Sequence, residues 1–203
     1  RLERGDVNMG VGARWLRGCG FLVVLMQAGF TCLESGLVRA KNSINVAIKN
    51  LVDFCISFCL FALLGYGLMF GTSLGGVVGF GPFDISKLDS EALSFFFFQA
   101  VFCGTATTIV SGAVAERMRF VSYAFTALLL SGLIYPVAGH WGWARDLAGE
   151  RVGWLAQIGF MDFAGATVVH GLAGWVALAA LLAVGPRLGR FGRRAKPIEG
   201  HSL

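Results

Sequence analysis

Residues 163–184 read FAGATVVHGLAGWVALAALLAV, an apolar run with one strongly polar side chain in mid-span, His170. About 20 apolar residues, wound as a helix, cross a hydrocarbon core of ~30 Å. An imidazole inside such a span is costly unless it faces a cavity or a partner, so His170 is a functional candidate. Asp162 stands where a helix N-cap belongs, its carboxylate available to the unpaired N–H groups of Gly165 or its neighbours. Gly165, Ala166, Gly171, Ala173 and Gly174 let other helices approach closely. The stretch reads as a packed, buried helix with one imidazole inside it.

Composition extends this to the whole chain. Of 203 residues, 56% are hydrophobic and only 14% charged. Soluble domains carry roughly 25% charged residues, so the chain is a membrane protein on composition alone. All five cysteines (Cys19, Cys32, Cys55, Cys59, Cys103) sit in apolar runs and read as small buried hydrophobes. Cys55 and Cys59 share a helix face, but no His or second Cys pair joins them, so no metal or other cofactor is expected. No nucleophile–base pair or phosphate loop stands out; the chain does not read as an enzyme, and nothing suggests nucleic-acid binding.

Five spans follow in order. Residues 1–14 are polar and charged and read as a solvated extracytoplasmic leader. The first span is about 15–38, with Trp15 in an interfacial belt and Arg17 beside it. Residues 39–50 form a short basic linker, partly helical in character, before the second span at about 51–70; Asp53 lies at its start, where a carboxylate suits a helix N-terminus. Residues 71–92 are Gly-rich loop. The third span, about 93–114, opens with four phenylalanines and ends at a charged turn of Glu116, Arg117 and Arg119. The fourth, about 120–141, carries Pro136 near its far end, which breaks or kinks a helix. After a loop at 142–161 comes the fifth span, about 163–184, and then a basic segment, 185–203.

Alternating spans put Arg39, Lys41, Lys49, Arg117, Arg119, Arg187, Arg190, Arg193, Arg194 and Lys196 on one side. Arg1, Arg4, Arg14, Arg17, Lys87, Arg145 and Arg151 fall on the other. The positive-inside bias therefore favours an external N-terminus and a cytoplasmic basic tail facing anionic lipid. An odd number of spans suits one half of an inverted-repeat transporter, whose substrate site lies between the halves. The chain begins with Arg1 and stops just after its basic tail, which reads as a fragment of a longer protein.

Four segments resemble the Amt/Rh ammonium transporter family, in its Amt branch: GFTCLESGLVRAKNSINVAIKN (29–50), FQAVFCGTATTIVSGAVAERMRF (98–120), YPVAGHWGW (135–143) and MDFAGATVVHGLAG (161–174). GPRLGRF (185–191) and the closing GHS complete the set. Any one is weak; their order and spacing together are specific. The resemblance implies an all-α polytopic membrane protein of eleven helices, with spans 1–5 and 6–10 as inverted repeats. It also implies a homotrimer with a pore in each subunit, in the inner (cell) membrane. This chain matches the first repeat alone, the N-terminal half.

The resemblance also gives residues roles, beside plainer readings. Phe102, otherwise an ordinary apolar-helix residue, resembles the outer of two stacked phenylalanines that gate the family pore, with Phe98 beside it. Gln99 shares that face and supports the vestibule, or else bonds between helices. Trp143, in the external loop, resembles the recruitment tryptophan whose ring offers a cation–π surface; the plainer reading is an interfacial anchor. Asp162 shapes the same outer site or simply caps its helix. His170 resembles the first of two pore histidines, its partner lying in the second half. His140 reads as interfacial or structural.

The implied activity is capture of ammonium outside, deprotonation near the Phe gate, and passage of ammonia through an apolar pore; methylammonium is the analogue to test. The competing reading is an ammonium-sensing receptor domain joined to a signalling module. If the chain stands alone, Gln99 and His170 face lipid or a foreign partner.

Overall fold

A computed structural model describes residues 2–146, 148–192 and 195–200, and for residues 2–11 the backbone alone. Arg1, Arg193, Arg194 and residues 201–203, parts of the leader and basic tail readings, lie outside the described residues. Five helices among the described residues are long and apolar enough to cross a membrane: Gly12–Gly36, Ala40–Phe70, Ser90–Val114, Phe120–Trp143 and Ala166–Val184. Their helical backbone is what lipid demands, because no water is there to satisfy a free N–H or C=O.

The boundaries differ from the expected ones in physically instructive ways. The helix of the first span begins at Leu2, so the backbone of the expected leader continues it. The expected linker 39–50 is helix from Ala40 onward. Lys49 therefore lies inside the second span, only 2% exposed, where its Nζ donates to the Met118 carbonyl at 2.7 Å. Asp53, expected at a helix start, is instead fully buried in mid-helix. Charge misled here: a basic, Asn-rich stretch looks like a linker, yet Arg39, Asn42 and Lys49 reach partners on the turn after the third span.

The third span is the central post. Two-thirds of its apolar window (67%) is buried, against 17% for the first span. Its residues Gly104, Thr105, Ala106, Thr107, Thr108 and Ser111 are all buried. Small side chains let neighbouring backbones close in. A Cβ added at Gly104 would lie 2.8 Å from the Phe54 ring, and one at Gly112 would lie 2.8 Å from Glu34 Oε1. Thr105 and Thr107 donate their hydroxyls back to carbonyls four residues earlier, which uses those protons without a partner helix.

Three spans contain a π turn: Phe61–Gly65, Leu130–Ile134 and Ala166–Gly171. The second of these ends just before Tyr135 and Pro136, so the widened turn absorbs the break that Pro136 imposes. Gly65 leaves room for Pro136, whose Cγ would lie 3.1 Å from an added Cβ.

Residues 71–92, expected as plain loop, contain an antiparallel hairpin, β1 (Thr72–Leu74) paired with β2 (Val78–Phe80). Gly75 and Gly76 turn it with φ of 62° and 76°, a region that favours glycine. The hairpin docks on the end of the fourth span. His140, fully buried, holds the Met69 carbonyl at 2.8 Å through Nδ1 and Ser73 Oγ at 2.9 Å through Nε2. Its role here is structural.

The cysteines correct one expectation: Cys103 is buried, but Cys32, Cys55 and Cys59 are exposed and Cys19 is intermediate. They lie on span faces that this chain does not itself cover. The fifth span likewise is buried over only 22% of its window, with Trp175 and Leu182 exposed. It packs chiefly along the third span, so one face is left open.

At the basic end, Glu116 takes a left-handed φ of 66°, a conformation uncommon for a residue with a side chain. It is fixed there by Arg39, whose guanidinium lies 2.8 Å away and whose N–H also donates at 2.7 Å, and by Asn42 at 3.1 Å. Burial pushes the Glu116 carboxyl up, but these hydrogen bonds outweigh it and bring it down to about 2. A depressed carboxylate contributes stability that is complete above its ordinary value of 4.5 and is lost as pH falls through about 2. Melting temperature followed against pH should therefore fall over that acid window in the native protein. Glu116→Gln should be less stable at neutral pH and should lack that acid-dependent fall.

A candidate substrate vestibule

At the opposite end of the bundle from Glu116 lies a cavity of ≈ 450 Å³, whose wall includes Phe98, Gln99, Phe102, Trp143 and Asp162. Five of the six residues singled out from the sequence thus share one cavity. His170 is not among its lining residues and is exposed in this chain.

The third span supplies the aromatic wall. Phe98 and Phe102 lie one turn apart on the same face, their rings edge to face with centroids 5.0 Å apart. Gln99 is buried rather than turned outward, and its Oε1 has no hydrogen-bond partner among the described residues. Trp143 is the last helical residue of the fourth span, not part of a loop. Its indole N–H donates to the Asp162 carbonyl at 2.8 Å, which fixes the ring and ties the fourth span to the start of the fifth.

Asp162 is the cap of the fifth span. Gly165, with φ of 83°, turns the chain into the π turn. One carboxylate oxygen accepts from the Gly165 and Ala166 N–H groups at 2.8 and 3.0 Å, the other from Thr167 and Val168, each at 2.8 Å. Burial pushes this carboxyl up, but the four N–H groups prevail and hold it below the ordinary range. Its lone pairs face the helix, so its negative charge reaches the cavity without presenting a free oxygen. The π turn it caps carries His170, whose N–H bonds to the Gly165 carbonyl at 2.9 Å. Aim and cap are therefore one local structure.

Several wall residues carry no signal in the sequence. Phe95 and Phe160 add apolar surface, and Arg145 and Arg151 place two guanidinium groups in the wall. Arg145 is turned to its own loop, donating to the Gly149 carbonyl at 2.8 Å. With two cations against one saturated carboxylate, this cavity does not attract a cation by fixed charge.

The fold and this cavity define a class: a polytopic helical membrane protein, five spans deep, with an aromatic vestibule at one end. A profile of the Ammonium Transporter Family matches residues 14–203. The chain belongs to the ammonium transporter family. It is 54% identical over 190 residues to a putative ammonium transporter, sll0537, of Synechocystis, covering 91% of this chain and 35% of that one. With ammonium transporter Amt2 of Archaeoglobus fulgidus it shares 42% identity over 93% of its length and 42% of the relative's. Among solved structures, one called Sensor Amt Protein superposes with a TM-score of 0.91 at 40% identity, over 97% of this chain and 50% of that one. The chain thus spans between about a third and a half of the proteins it matches.

Asp162→Ala should leave four N–H groups at the head of the fifth span without their acceptor. Loss of a capping side chain costs roughly 0.5–2 kcal/mol, so a lower melting temperature of the detergent-solubilised full-length protein is expected. Asp162→Asn should fall between, because one amide oxygen can keep at most part of the cap.

Proposed function

We propose that the full-length protein moves ammonium across the membrane, and that these residues form the outer half of its path. The observation that carries this reading is the shared cavity: Phe98, Gln99, Phe102, Trp143 and Asp162 come from three separate spans or their ends, yet meet around one space. Family membership supplies the substrate class, ammonium, for which methylammonium serves as the test analogue.

The physical logic is selective desolvation. A cation moved into hydrocarbon loses several kcal/mol of hydration even on gentle scales. The Trp143 and Phe102 rings can compensate a first part of that loss, since a cation–π contact contributes roughly 0.5–2 kcal/mol. They do so without a free carboxylate that would hold the ion too tightly. A path with apolar walls beyond the phenylalanines would pass a neutral amine where it would not pass sodium, potassium or ammonium. Ammonium then gives up its proton to water on the outer side of the Phe gate and ammonia continues past His170, whose imidazole offers a hydrogen bond inside an otherwise dry path. The second half of the native protein would supply the facing wall, and three subunits the assembly. In this reading the N-terminus lies outside and the basic segment 185–203 faces the cytoplasm.

A second reading rests on one likeness, that to the solved Sensor Amt Protein. A signalling module joined to the native chain would turn vestibule occupancy into an output rather than a flux.

Radiolabelled methylammonium uptake by cells that lack their own ammonium transporters, expressing the full-length protein, tests the first. Trp143→Leu should weaken apparent affinity about two- to thirtyfold, the equivalent of the cation–π contribution, and erode discrimination against other cations. Unchanged affinity and selectivity would remove Trp143 from the site. No uptake by the wild type, together with ligand-dependent output from an attached module, would favour the sensor.

A further inference from the structure

A second polar cluster lies inside the bundle toward its basic end, away from the vestibule residues. It joins four spans. Gln27 Nε2 donates to Thr108 Oγ1 at 2.6 Å and approaches the Asn50 carbonyl at 3.4 Å. Thr108 donates to one oxygen of Asp53 at 3.1 Å, and the Tyr123 hydroxyl donates to the other. Asp53 is thereby satisfied on both oxygens.

Glu34 is not. Its carboxylate faces Asn50, Ser111 and the Gly112 backbone, and lies within electrostatic reach of Asp53. Yet Glu34 Oε2, both amide atoms of Asn50 and Ser111 Oγ make no hydrogen bond of normal geometry among the described residues. Asn50 is 0% exposed and Ser111 1%. Buried polar atoms are almost always partnered, so two unpartnered side chains, Asn50 and Ser111, converging on a carboxylate with an unpartnered oxygen need an account.

Charge makes the same demand. Two carboxyl groups, Glu34 and Asp53, share this interior with one cationic side chain, Lys49. Its amine is committed to the Met118 carbonyl and sits 5.5 Å from the centroid of the Tyr123 ring, on the Asp53 side. That leaves Glu34 without a counter-charge in a region where an isolated ion is costly.

We propose that Glu34, Asn50 and Ser111 bind one univalent cation, with Glu34 Oε2, Asn50 Oδ1 and Ser111 Oγ as its oxygen partners. A proton carried by Glu34, a sodium ion and an ammonium ion share this chemistry: one positive charge met by a carboxylate and neutral oxygens. Three protein oxygens, one of them from a carboxylate, are too few for the coordination shell of calcium, and the site is univalent on charge. Gly112 belongs to the design, because a side chain there would press on Glu34 Oε1. The inference stands on these contacts and not on the transport reading.

The test uses the full-length protein in lipid nanodiscs. Thermal unfolding is compared in sodium chloride, ammonium chloride and choline chloride, and the carboxylic-acid C=O band is followed by infrared spectroscopy at neutral pH. Both are repeated for Glu34→Gln, which keeps the shape, and for the milder Ser111→Ala. If the guest is sodium or ammonium, that salt raises the midpoint over choline, and the part of the shift due to this site disappears in Glu34→Gln and shrinks in Ser111→Ala. If the guest is a proton, salt identity has no Glu34-dependent effect, but an acid band present in the wild type is missing from Glu34→Gln. The proposal is overturned if Glu34→Gln changes neither the salt response nor the acid band. Ammonium held in the vestibule would persist in Glu34→Gln and so cannot be mistaken for this site.

Discussion

Close approach to the third span is the constraint on which the rest of this structure depends. In lipid, no hydrophobic gain accompanies the packing of one apolar helix on another, so contact distance and interhelical hydrogen bonding have to supply the association. The run Gly104–Thr105–Ala106–Thr107–Thr108 and the nearby Ser111 and Gly112 provide both. The glycines admit the Phe54 ring and the Glu34 carboxylate, while Thr107 and Thr108 accept or give bonds to Ser57, Gln27 and Asp53. One helix face thus binds the first, second and fourth spans, and the same helix presents Phe98, Gln99 and Phe102 at its other end. A single element positions both the vestibule and the buried cluster.

The vestibule shows how a carboxylate can line a cavity without offering it a free oxygen. Asp162 is present, but its oxygens are taken up by the four N–H groups that the π turn exposes. Its work is mechanical: it starts the fifth span, accepts no further donor, and through its carbonyl holds the Trp143 ring. The ring is therefore preorganised by the same residue that caps the helix. The π turn widens the backbone just where His170 is carried, and such turns recur at functional positions because they re-aim a side chain without ending the helix.

Much of this was legible in the residues. The five spans follow from apolar length, and Phe98, Gln99, Phe102, Trp143 and Asp162 were found through their motifs. The buried cluster was not. Lys49, Asn50 and Asp53 sit in a stretch whose charge density reads as linker, and Glu34 and Gln27 look like incidental polar residues in the first span. Nothing in spacing along one helix tells that Gln27 meets Thr108, 81 positions away. Arg145 and Arg151 entered the vestibule wall for the same reason: a loop's charges take their place only when the chain has folded back. The hairpin at Thr72–Phe80 hid behind its glycines, which signal turn but not pairing.

What the sequence by itself determined is the number of spans, their apolar faces and the identity of the motif residues, because membrane thickness and helix rise leave few other solutions for such runs. Tertiary structure alone decided which polar side chains are satisfied and which are not. It turned Asp162 toward its own helix, placed His140 between Met69 and Ser73, and left Glu34 facing Asn50 and Ser111. Those outcomes depend on which helices lie against which, and in lipid that is settled by close packing and paired hydrogen bonds between residues far apart in the chain.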